Sequence, residues 1–277
     1  MVTVVSREEK APLVPFLKWA GGKRWLTASH LALFPSTYER YIEPFLGSGA
    51  VFFALNPERG ILSDRNADLI ETYKAIRDDW KSVEAALKRH HTNHRPEYYY
   101  NERDRRRQAS HTRAAQFIYM NRTCWNGLYR VNLQGKFNVP IGTKSAVCLD
   151  TDDFEATSKA LKKAHLMCAD FKLAISQARN NDFIFVDPPY TVKHNMNGFV
   201  KYNEQIFSWD DQIRLRDALL RAWDRGALIS ITNADHDSIK DLYKDFPFHQ
   251  SLSRSSVLAG KPSARAPTTE LLIRNWS

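Results

Sequence analysis

Four residues that follow an apolar run have the types needed to bind and activate an amine. Residues 183–186 read as a buried strand, and Asp187, Pro188, Pro189 and Tyr190 follow directly. Proline fixes φ and lacks an N–H, so this corner is rigid and its prolines offer no amide that competes for nearby acceptors. The Asp187 carboxylate and the Pro188 carbonyl can then face outward together, as two acceptors for a group with two hydrogens. Tyr190 adds a flat face on which a base can stack.

Transfer of a group to an exocyclic amine is the chemistry that suits such a corner. An aromatic amine is a poor nucleophile because its lone pair is delocalised into the ring. Two acceptors on its hydrogens favour a more tetrahedral nitrogen and free the lone pair toward an electrophile. A base in a duplex must leave the helix to reach such a pocket. From these four residues alone, a stiff turn without function remains the alternative.

A glycine turn in the stretch YIEPFLGSGAVFFAL is the second candidate site. Gly47 and Gly49 can adopt positive φ, and the free N–H groups of the helix that begins there point at the same place. Phe52 stands where a dinucleotide motif has its third glycine. Asp64 ends the next strand, a position from which a carboxylate can reach ribose hydroxyls. Together these features favour an adenosine-bearing ligand over an aspartate that only caps a turn.

Strands that alternate with helices must position these residues. Short apolar runs that end in polar residues predict buried strands at 41–45, 60–64, 165–170, 183–187 and 228–233. Residues 208–226 predict a helix that opens with Ser208 and Asp211 in capping-box spacing and closes on Gly226. Its apolar face is predicted to contain Ile213, Leu215, Leu219, Leu220 and Trp223. This order predicts an α/β fold around a mainly parallel sheet.

The middle of the chain, residues 67–155, is predicted to be a mostly helical insertion. One long amphipathic helix is indicated by the spacing of Leu69, Tyr73, Ile76, Trp80, Val83 and Leu87. A polar stretch rich in Arg and Tyr follows this helix. His90, His91 and His94 are interpreted as a solvated basic face rather than a metal site, because no cysteine or acidic partner is nearby.

Composition limits the possible classes of protein. The 277 residues contain 43% hydrophobic and 26% charged residues, with a net charge of +9 and a pI near 9.4. This balance suits a polyanionic partner such as nucleic acid. No apolar run is long enough for a membrane helix, and the N-terminal stretch does not predict secretion. Cys124, Cys148 and Cys168 form no Cys-x-x-Cys pair, so we expect a reduced cytoplasm and neither disulfide nor zinc.

With these pieces in order, the chain resembles the Dam-type (D12 class) DNA adenine-N6 methyltransferases. The resemblance covers nearly the whole chain and rests on FLKWAGGK (16–23), EPFLGSGAVFF (43–53), LSDRNADLI (62–70), NRTCWNGLYRVNLQGKFNVPIG (121–142) and DPPY (187–190). It implies a Rossmann-like methyltransferase sheet with an inserted, mostly helical target-recognition domain. The catalytic domain would then comprise residues 1–66 and 156–277, and the recognition domain residues 67–155.

The resemblance implies S-adenosylmethionine as methyl donor, direct in-line transfer, and no metal. The implied cofactor ligands are Trp19, Ala20, Lys23, Glu43, Pro44, Phe45, Gly47, Gly49, Asp64, Asp170, Phe171 and Asp187. Asp64 would hold the ribose, and Asp170 and Phe171 would lie by the adenine. The implied catalytic residues are Asp187, Pro188, Pro189 and Tyr190.

For DNA, the resemblance implies base contacts from Lys18, Leu128, Arg130 and Pro140, insertion of Trp125 and Asn126 near the flipped base, and support of the hairpin by Asn132. These positions match the branch that recognises GATC, with adenine as the target. In this chain Cys124 replaces a small glycine of that branch. Without the resemblance, WNGLYRVN would read as an ordinary surface hairpin with an Asn-Gly turn.

Three functions stay open at this point. The leading hypothesis is an adenine-N6 methyltransferase that acts as a monomer on double-stranded DNA in the cytoplasm of a bacterial or phage-infected cell, away from membranes. Cytosine-N4 or RNA adenine methylation is the second hypothesis, because the same acceptors fit those amines. A catalytically silent DNA-binding homologue is the third. The intact residues Lys23 and 187–190 argue against it, since a silent copy does not need them.

Overall fold

The structure confirms the predicted α/β fold, with strands that alternate with helices along most of the chain. The computed structural model describes residues 3–4, 12–127, 130, 136–192, 207–255 and 267–277. In chain order, the strands are β1 (Thr3–Val4), β2 (Thr37–Tyr38), β3 (Tyr41–Glu43), β4 (Gly60–Asp64), β5 (Ala164–Cys168), β6 (Phe183–Val186), β7 (Leu228–Ala234), β8 (Phe248–Ser255) and β9 (Pro267–Arg274). The helices are α1 (Arg24–Ser29), α2 (Ala50–Leu55), α3 (Ala67–Asn93), α4 (Pro96–Asp104), α5 (Ser110–Thr123), α6 (Phe154–Leu161), α7 (Phe171–Ser176), α8 (Trp209–Asp224) and α9 (Asp237–Leu242).

By its internal contacts the chain divides into two units. The first unit consists of residues 1–5, 29–45 and 169–277, and the second of residues 6–28 and 46–168. These boundaries describe packing and differ from the predicted functional division at residues 67 and 155. The assignment of target recognition to residues 67–155 stays a prediction. The structure does show that α3, α4 and α5 lie within that range.

The first unit contains a sheet with the strand order β3-β6-β7-β9-β8. β3, β6 and β7 are parallel, whereas β9 runs antiparallel to both β7 and β8. All four residues of β6 are buried, as expected for a strand covered on both faces. The carboxyl end of β6 therefore delivers Asp187 directly from the core.

The second unit combines two parallel strands, β4 and β5, with helices that include the long α3. Asn66 caps α3 by accepting a hydrogen bond from the Leu69 N–H at 3.1 Å. The predicted long helix is present but is interrupted at Asp79, where φ is −148° and ψ is 60°. Among the described residues, no helix is long and apolar enough to cross a membrane.

Helix α8 begins with the predicted capping box. The Ser208 hydroxyl accepts from the Asp211 N–H at 3.1 Å, and the Asp211 carboxylate accepts from the Ser208 N–H at 3.0 Å. The predicted apolar face was partly wrong, because Ile213, Leu220 and Trp223 are only half-buried. The buried stripe is instead Gln212, Leu215, Ala218, Leu219 and Ala222. A polar side chain and small alanines at helical spacing replace the large residues that the pattern favoured.

The interpretation of the three histidines as a solvated face was wrong for His90. This side chain is 3% exposed, and its ring stacks on Tyr119 with centroids 4.8 Å apart. Its Nδ1 lies 2.8 Å from the Tyr98 hydroxyl. Burial lowers the pKa of His90 to about 4, because desolvation disfavours the charged ring more than the nearby Glu102 favours it.

The low pKa of His90 predicts a loss of stability in acid. Between pH 6.5 and about pH 4 the His90 ring is protonated in the unfolded chain but stays neutral in the folded protein. The free energy of unfolding therefore falls as the pH decreases from 6.5 to 4. Each pKa unit corresponds to about 1.4 kcal/mol, so this site contributes up to about 3 kcal/mol of the fall. In His90→Phe, which keeps an aromatic ring against Tyr119, chemical denaturation at a series of pH values is expected to give a flatter curve. The exposed His91 on the same helix offers the control His91→Gln. If the free energy of unfolding depends on pH in the same way for wild type and His90→Phe, the predicted contribution of His90 is wrong.

Candidate active site

The glycine turn in the second unit is held by Asp64 and Tyr73. Gly47 and Gly49 have φ of +47° and +65°, as their positions in the sequence predicted. The Gly47 N–H donates to Asp64 Oδ2 at 3.0 Å, and the Tyr73 hydroxyl donates to the Gly47 carbonyl at 2.9 Å. Asp64 Oδ1 also accepts from the Asn66 N–H at 2.9 Å. Asp64 therefore fixes the turn, and its predicted contact with a ribose stays a prediction.

Burial raises the pKa of Asp64, while backbone N–H groups of Asn66, Gly47 and Arg65 act in the opposite direction. The Asp64 carboxylate is therefore desolvated, and it accepts hydrogen bonds from several backbone N–H groups. Such a carboxylate can accept hydroxyl hydrogens with little competition from bulk water.

The predicted N-terminal cofactor motif lies against the same turn. A Cβ atom built on Gly47 would lie 2.8 Å from Trp19 Cδ1, so the glycine is required for the close approach of the indole. The Trp19 ring also stacks on Phe117, with centroids 6.3 Å apart. Lys23 is 3% exposed and donates from Nζ to the Gly21 carbonyl at 2.6 Å, whereas Ala20 is exposed. The second unit therefore brings together Trp19, Lys23, Gly47, Gly49 and Asp64.

We expect Gly47→Ala to weaken binding of S-adenosylmethionine by at least about tenfold, which corresponds to about 1.4 kcal/mol. The new methyl group would displace Trp19, and a left-handed φ costs a non-glycine residue about 1 kcal/mol. Titration calorimetry with the cofactor measures the effect. Gly226→Ala is a control, because Gly226 has φ +87° and an even closer neighbour in Asn180 but is not a predicted ligand. This control should lower stability and leave the dissociation constant unchanged. Equal affinity of wild type and Gly47→Ala would contradict the prediction.

In the first unit, the corner of residues 187–190 is contacted by side chains from neighbouring elements. The Thr232 hydroxyl donates to Asp187 Oδ1 at 2.8 Å, and the Tyr190 hydroxyl donates to Glu270 Oε2 at 2.7 Å. Pro188 is buried, and Pro189 and Tyr190 are half-buried. Burial and the charges of Asp187 and Glu270 raise the pKa of Tyr190 well above its ordinary value, so the phenol keeps its proton.

Two aromatic rings and an arginine contact the residues predicted to lie by the adenine of the cofactor, Asp170 and Phe171. Phe45 stacks on Phe171 with centroids 5.5 Å apart, and Phe207 contacts both rings at 5.5 and 5.8 Å. The Arg214 guanidinium lies 5.1 Å from the Phe171 centroid and 3.3 Å from both carboxylate oxygens of Asp170. The first unit therefore brings Phe45, predicted to form part of the cofactor cradle, together with Asp170 and Phe171, which are predicted to lie by the adenine.

Glu43 and Pro44, the other predicted cofactor residues in the first unit, are buried. Glu43 is 3% exposed and accepts from the Tyr41 hydroxyl at 2.8 Å. Burial and the neighbouring Glu43 raise the pKa of Tyr41 well above its ordinary value, so Tyr41 remains a donor. The hydrogen bond from Tyr41 fixes the direction of the Glu43 carboxylate.

Several predicted DNA-contacting residues lie together in the second unit. Trp125 is 53% exposed, and its backbone N–H donates to the carbonyl of the exposed Pro140 at 2.9 Å. Asn126 has φ of +57° and is exposed. Lys18 is tied to this region through Asn121, which accepts from the Lys18 N–H at 2.9 Å and donates to its carbonyl at 2.7 Å. Arg130 is exposed, and Leu128 and Asn132 lie outside the described residues.

Partial burial and the nearby Lys144 lower the pKa of Lys18. Two adjacent ammonium groups repel each other, and a phosphate or an electronegative base edge between them would relieve the repulsion. This observation supports the prediction that Lys18 faces nucleic acid.

Cys124, the departure from the family pattern, turns inward. It is 3% exposed and forms a β-bridge with Ile141, next to the exposed Trp125. A Cβ atom on Gly142 would lie 2.6 Å from the Cys124 carbonyl oxygen, so Gly142 makes room for this bridge. The substitution of glycine by cysteine is therefore accommodated in the core and leaves the adjacent aromatic side chain exposed.

The residues that sequence reasoning missed are Tyr41, Tyr73, Phe207, Gln212, Arg214, Thr232 and Glu270. Tyr41 contacts Glu43 within one strand, whereas each of the other six contacts a predicted site residue that is distant in sequence. Polar residues inside otherwise apolar strands were the available signal for Thr232 and Glu270, because a buried polar group needs a partner.

Comparisons with known proteins identify the family of this chain. A family model described as D12 class N6 adenine-specific DNA methyltransferase matches residues 19–256. The Type II methyltransferase M1.LlaDCHI of Lactococcus lactis subsp. cremoris is 34% identical, with 98% of each chain covered. The Type II methyltransferase M.MjaIII of Methanocaldococcus jannaschii is 33% identical over 95% of this chain and 99% of the relative. The DNA adenine methylase of Escherichia coli K12 is 30% identical, with 93% of each chain covered. This chain belongs to the D12 class of N6 adenine-specific DNA methyltransferases.

Proposed function

We propose that this protein methylates N6 of adenine in duplex GATC sites, using S-adenosylmethionine and a base that has been flipped out of the helix. The observation that supports this most directly is the position of Asp187, at the carboxyl end of β6 with one oxygen held by Thr232 at 2.8 Å. In open α/β sheets, ligands bind at the carboxyl ends of the strands. A fixed carboxylate at that place suits an exocyclic amine.

In this proposal each member of the corner has a separate task. Asp187 and the Pro188 carbonyl accept the two hydrogens of the amine and free its lone pair. Tyr190 stacks on the extruded base, an interaction worth about 1–3 kcal/mol per base. When bound, S-adenosylmethionine supplies an electrophilic methyl group for direct in-line displacement.

The second unit has groups that fit the cofactor. The Gly47 turn allows a close approach of ligand to backbone, and the buried carboxylate of Asp64 can accept ribose hydroxyl hydrogens. The buried Lys23 supplies a positive charge for the carboxylate of the methionyl part. In the first unit, Phe45 and Phe171 offer flat faces for the adenine, and Asp170 an acceptor for its amine.

The proposed site specificity rests on the exposed residues of the second unit. Arg130 would make paired hydrogen bonds to guanine N7 and O6, a contact worth about 1–3 kcal/mol of discrimination. Leu128, which lies outside the described residues, would contact a thymine methyl group. The exposed Trp125 would fill the space that the flipped adenine leaves in the helix.

Transfer of tritium from labelled cofactor to short duplexes tests this function. We expect incorporation into a duplex with one GATC site and none above background into a duplex of identical composition in which the site is GTAC. Nucleoside analysis of the product should give N6-methyladenine. Equal labelling of both duplexes would contradict the specificity, and N4-methylcytosine would contradict the target base. Expression in a host without GATC methylation, followed by digestion with endonucleases that distinguish methylated GATC, gives an independent check.

A further inference from the structure

Three buried polar side chains contact the corner of residues 187–190 from three different elements. Thr232 on β7 donates to Asp187 Oδ1 at 2.8 Å, and Gln212 on α8 donates from Nε2 to the Pro189 carbonyl at 3.5 Å. Glu270 on β9 accepts from the Tyr190 hydroxyl at 2.7 Å. The corner is therefore held by side chains of β7, α8 and β9, which lie outside residues 187–190.

The register of β7 and β9 places two of these side chains on one face of the sheet. Thr232 lies opposite Leu272, and Ala234 lies opposite Glu270. Side chains two residues apart on a strand share a face, and directly opposed residues share it as well. Thr232 and Glu270 are therefore diagonal neighbours, and they reach the first and last residues of the corner.

Gln212 has a fixed orientation because its other end is occupied. It is fully buried, and its Oε1 accepts from Asn233 Nδ2 at 3.2 Å and from the Tyr243 hydroxyl at 3.3 Å. With two donors on its oxygen, the amide must direct Nε2 toward Pro189.

Among these three side chains, Glu270 has the highest free-energy cost of burial, because it is a carboxylate. It is 2% exposed, and the next two residues of the strand, Leu271 and Leu272, are equally buried. Burial of a carboxylate among apolar groups is unfavourable unless hydrogen bonds compensate it. The Tyr190 phenol is such a donor, since its pKa is well above the ordinary value. The hydrogen bond from the half-buried Tyr190 to the buried Glu270 carboxylate restricts the Tyr190 ring to one orientation.

We infer that Glu270 is a positioning residue for methyl transfer, which holds the Tyr190 ring in the plane on which the target base stacks. The inference rests on the proposed function, because it assigns Tyr190 to the flipped adenine. Without Glu270 the ring would rotate, and the amine would be presented to Asp187 at a wrong angle. Small misplacements of a reacting group reduce rates strongly, so we expect a loss of about tenfold or more in the transfer step.

The test measures single-turnover methyl transfer to a GATC duplex with wild type, Glu270→Ala, Glu270→Gln, Tyr190→Phe and the double variant Tyr190→Phe/Glu270→Ala. Glu270→Ala should lower the transfer rate about tenfold, with unchanged dissociation constants for cofactor and DNA. Glu270→Gln can still accept from the phenol and should recover most of the rate. On the Tyr190→Phe background, removal of Glu270 should cause little further loss, because the hydroxyl that it holds is already absent.

A second readout separates positioning from general damage to the fold. With 2-aminopurine in place of the target adenine, we expect Glu270→Ala to change the fluorescence that reports stacking of the flipped base. Thermal unfolding of the same variant should show a cooperative transition with a measurable midpoint, as expected for a folded protein. Asp245→Ala, the loss of an exposed carboxylate in the same unit, is the control and should behave as wild type.

The outcomes distinguish this inference from the proposed function. If wild type methylates GATC and folded Glu270→Ala does so at the same rate, the role of Glu270 is refuted and the function stands. The role of Glu270 is also refuted if the rate losses of Glu270→Ala and Tyr190→Phe are fully additive in the double variant. A third refuting result is a Glu270→Ala variant that loses only affinity for DNA or cofactor and keeps the wild-type transfer rate. If Glu270→Ala does not fold, a wild-type transfer rate in Tyr190→Phe refutes it instead. If wild type labels no DNA, the proposed function itself fails.

Discussion

Replacement of Asp187 by alanine is expected to lower methyl transfer about 10²–10³-fold or more, the range seen when one preorganised polar group is removed from a reacting centre. The reason is that Asp187 follows the buried strand β6 and its carboxylate is oriented by Thr232. The alanine variant lacks this charged acceptor. Asp187→Asn should retain more activity, since the amide oxygen is still an acceptor.

The measurement is tritium transfer under single-turnover conditions, with DNA binding measured in parallel. Asp245→Ala again serves as the matched control, because it removes an exposed carboxylate from the same unit and should keep the wild-type rate. Unchanged transfer in Asp187→Ala would remove the proposed mechanism. A loss fully explained by weaker DNA binding would reassign Asp187 from the transfer step to substrate affinity.

The second large effect is expected for stability, at Arg122 on α5. Its guanidinium donates to the carbonyls of Phe16 at 2.8 Å and Val147 at 2.6 Å, and it forms a paired contact with Asp152 at 2.6 and 2.7 Å. The two side chains are 4% and 10% exposed. Three segments that are distant in sequence therefore meet at one buried cation.

Arg122→Met is expected to lower the free energy of unfolding by about 3–5 kcal/mol, since removal of one partner leaves a buried charge and carbonyls without their donor. Chemical denaturation measures the change. Arg113→Met is an internal control on the same helix, because its ion pair with Asp68 is about half exposed and spans 3.4 Å. Exposed pairs contribute about 0–1 kcal/mol. Similar losses in both variants would contradict the assigned role of Arg122.

The strands and the capping of α8 could be predicted because they depend on neighbouring residues. An apolar run such as Phe183–Val186 has few alternatives to a buried strand, and the Ser208 and Asp211 pair acts within one helical turn. The positive φ of Gly47 follows from the glycine itself. Local information was sufficient for each of these features.

The side chains that hold the site could not be predicted in the same way. Glu270 reaches Tyr190 across 80 residues of sequence, and Arg122 reaches Phe16 across 106. Such contacts depend on strand register and helix packing, which no short pattern specifies. His90 shows the same limit, because the packing of Tyr98 and Tyr119 against it buries a polar position of the helix.

The pairing of β3 with β6 has a consequence for synthesis of the chain. Tyr41 is in register with Phe183, so the first of these strands leaves the ribosome 142 residues before its partner. Residues 46–168 emerge during that interval, and domains generally fold as units during translation. The edge of β3 that pairs with β6 therefore lacks this partner during that interval, and contacts so distant in sequence form slowly. Residues 41–43 are the stretch that a chaperone would be expected to protect on the nascent protein.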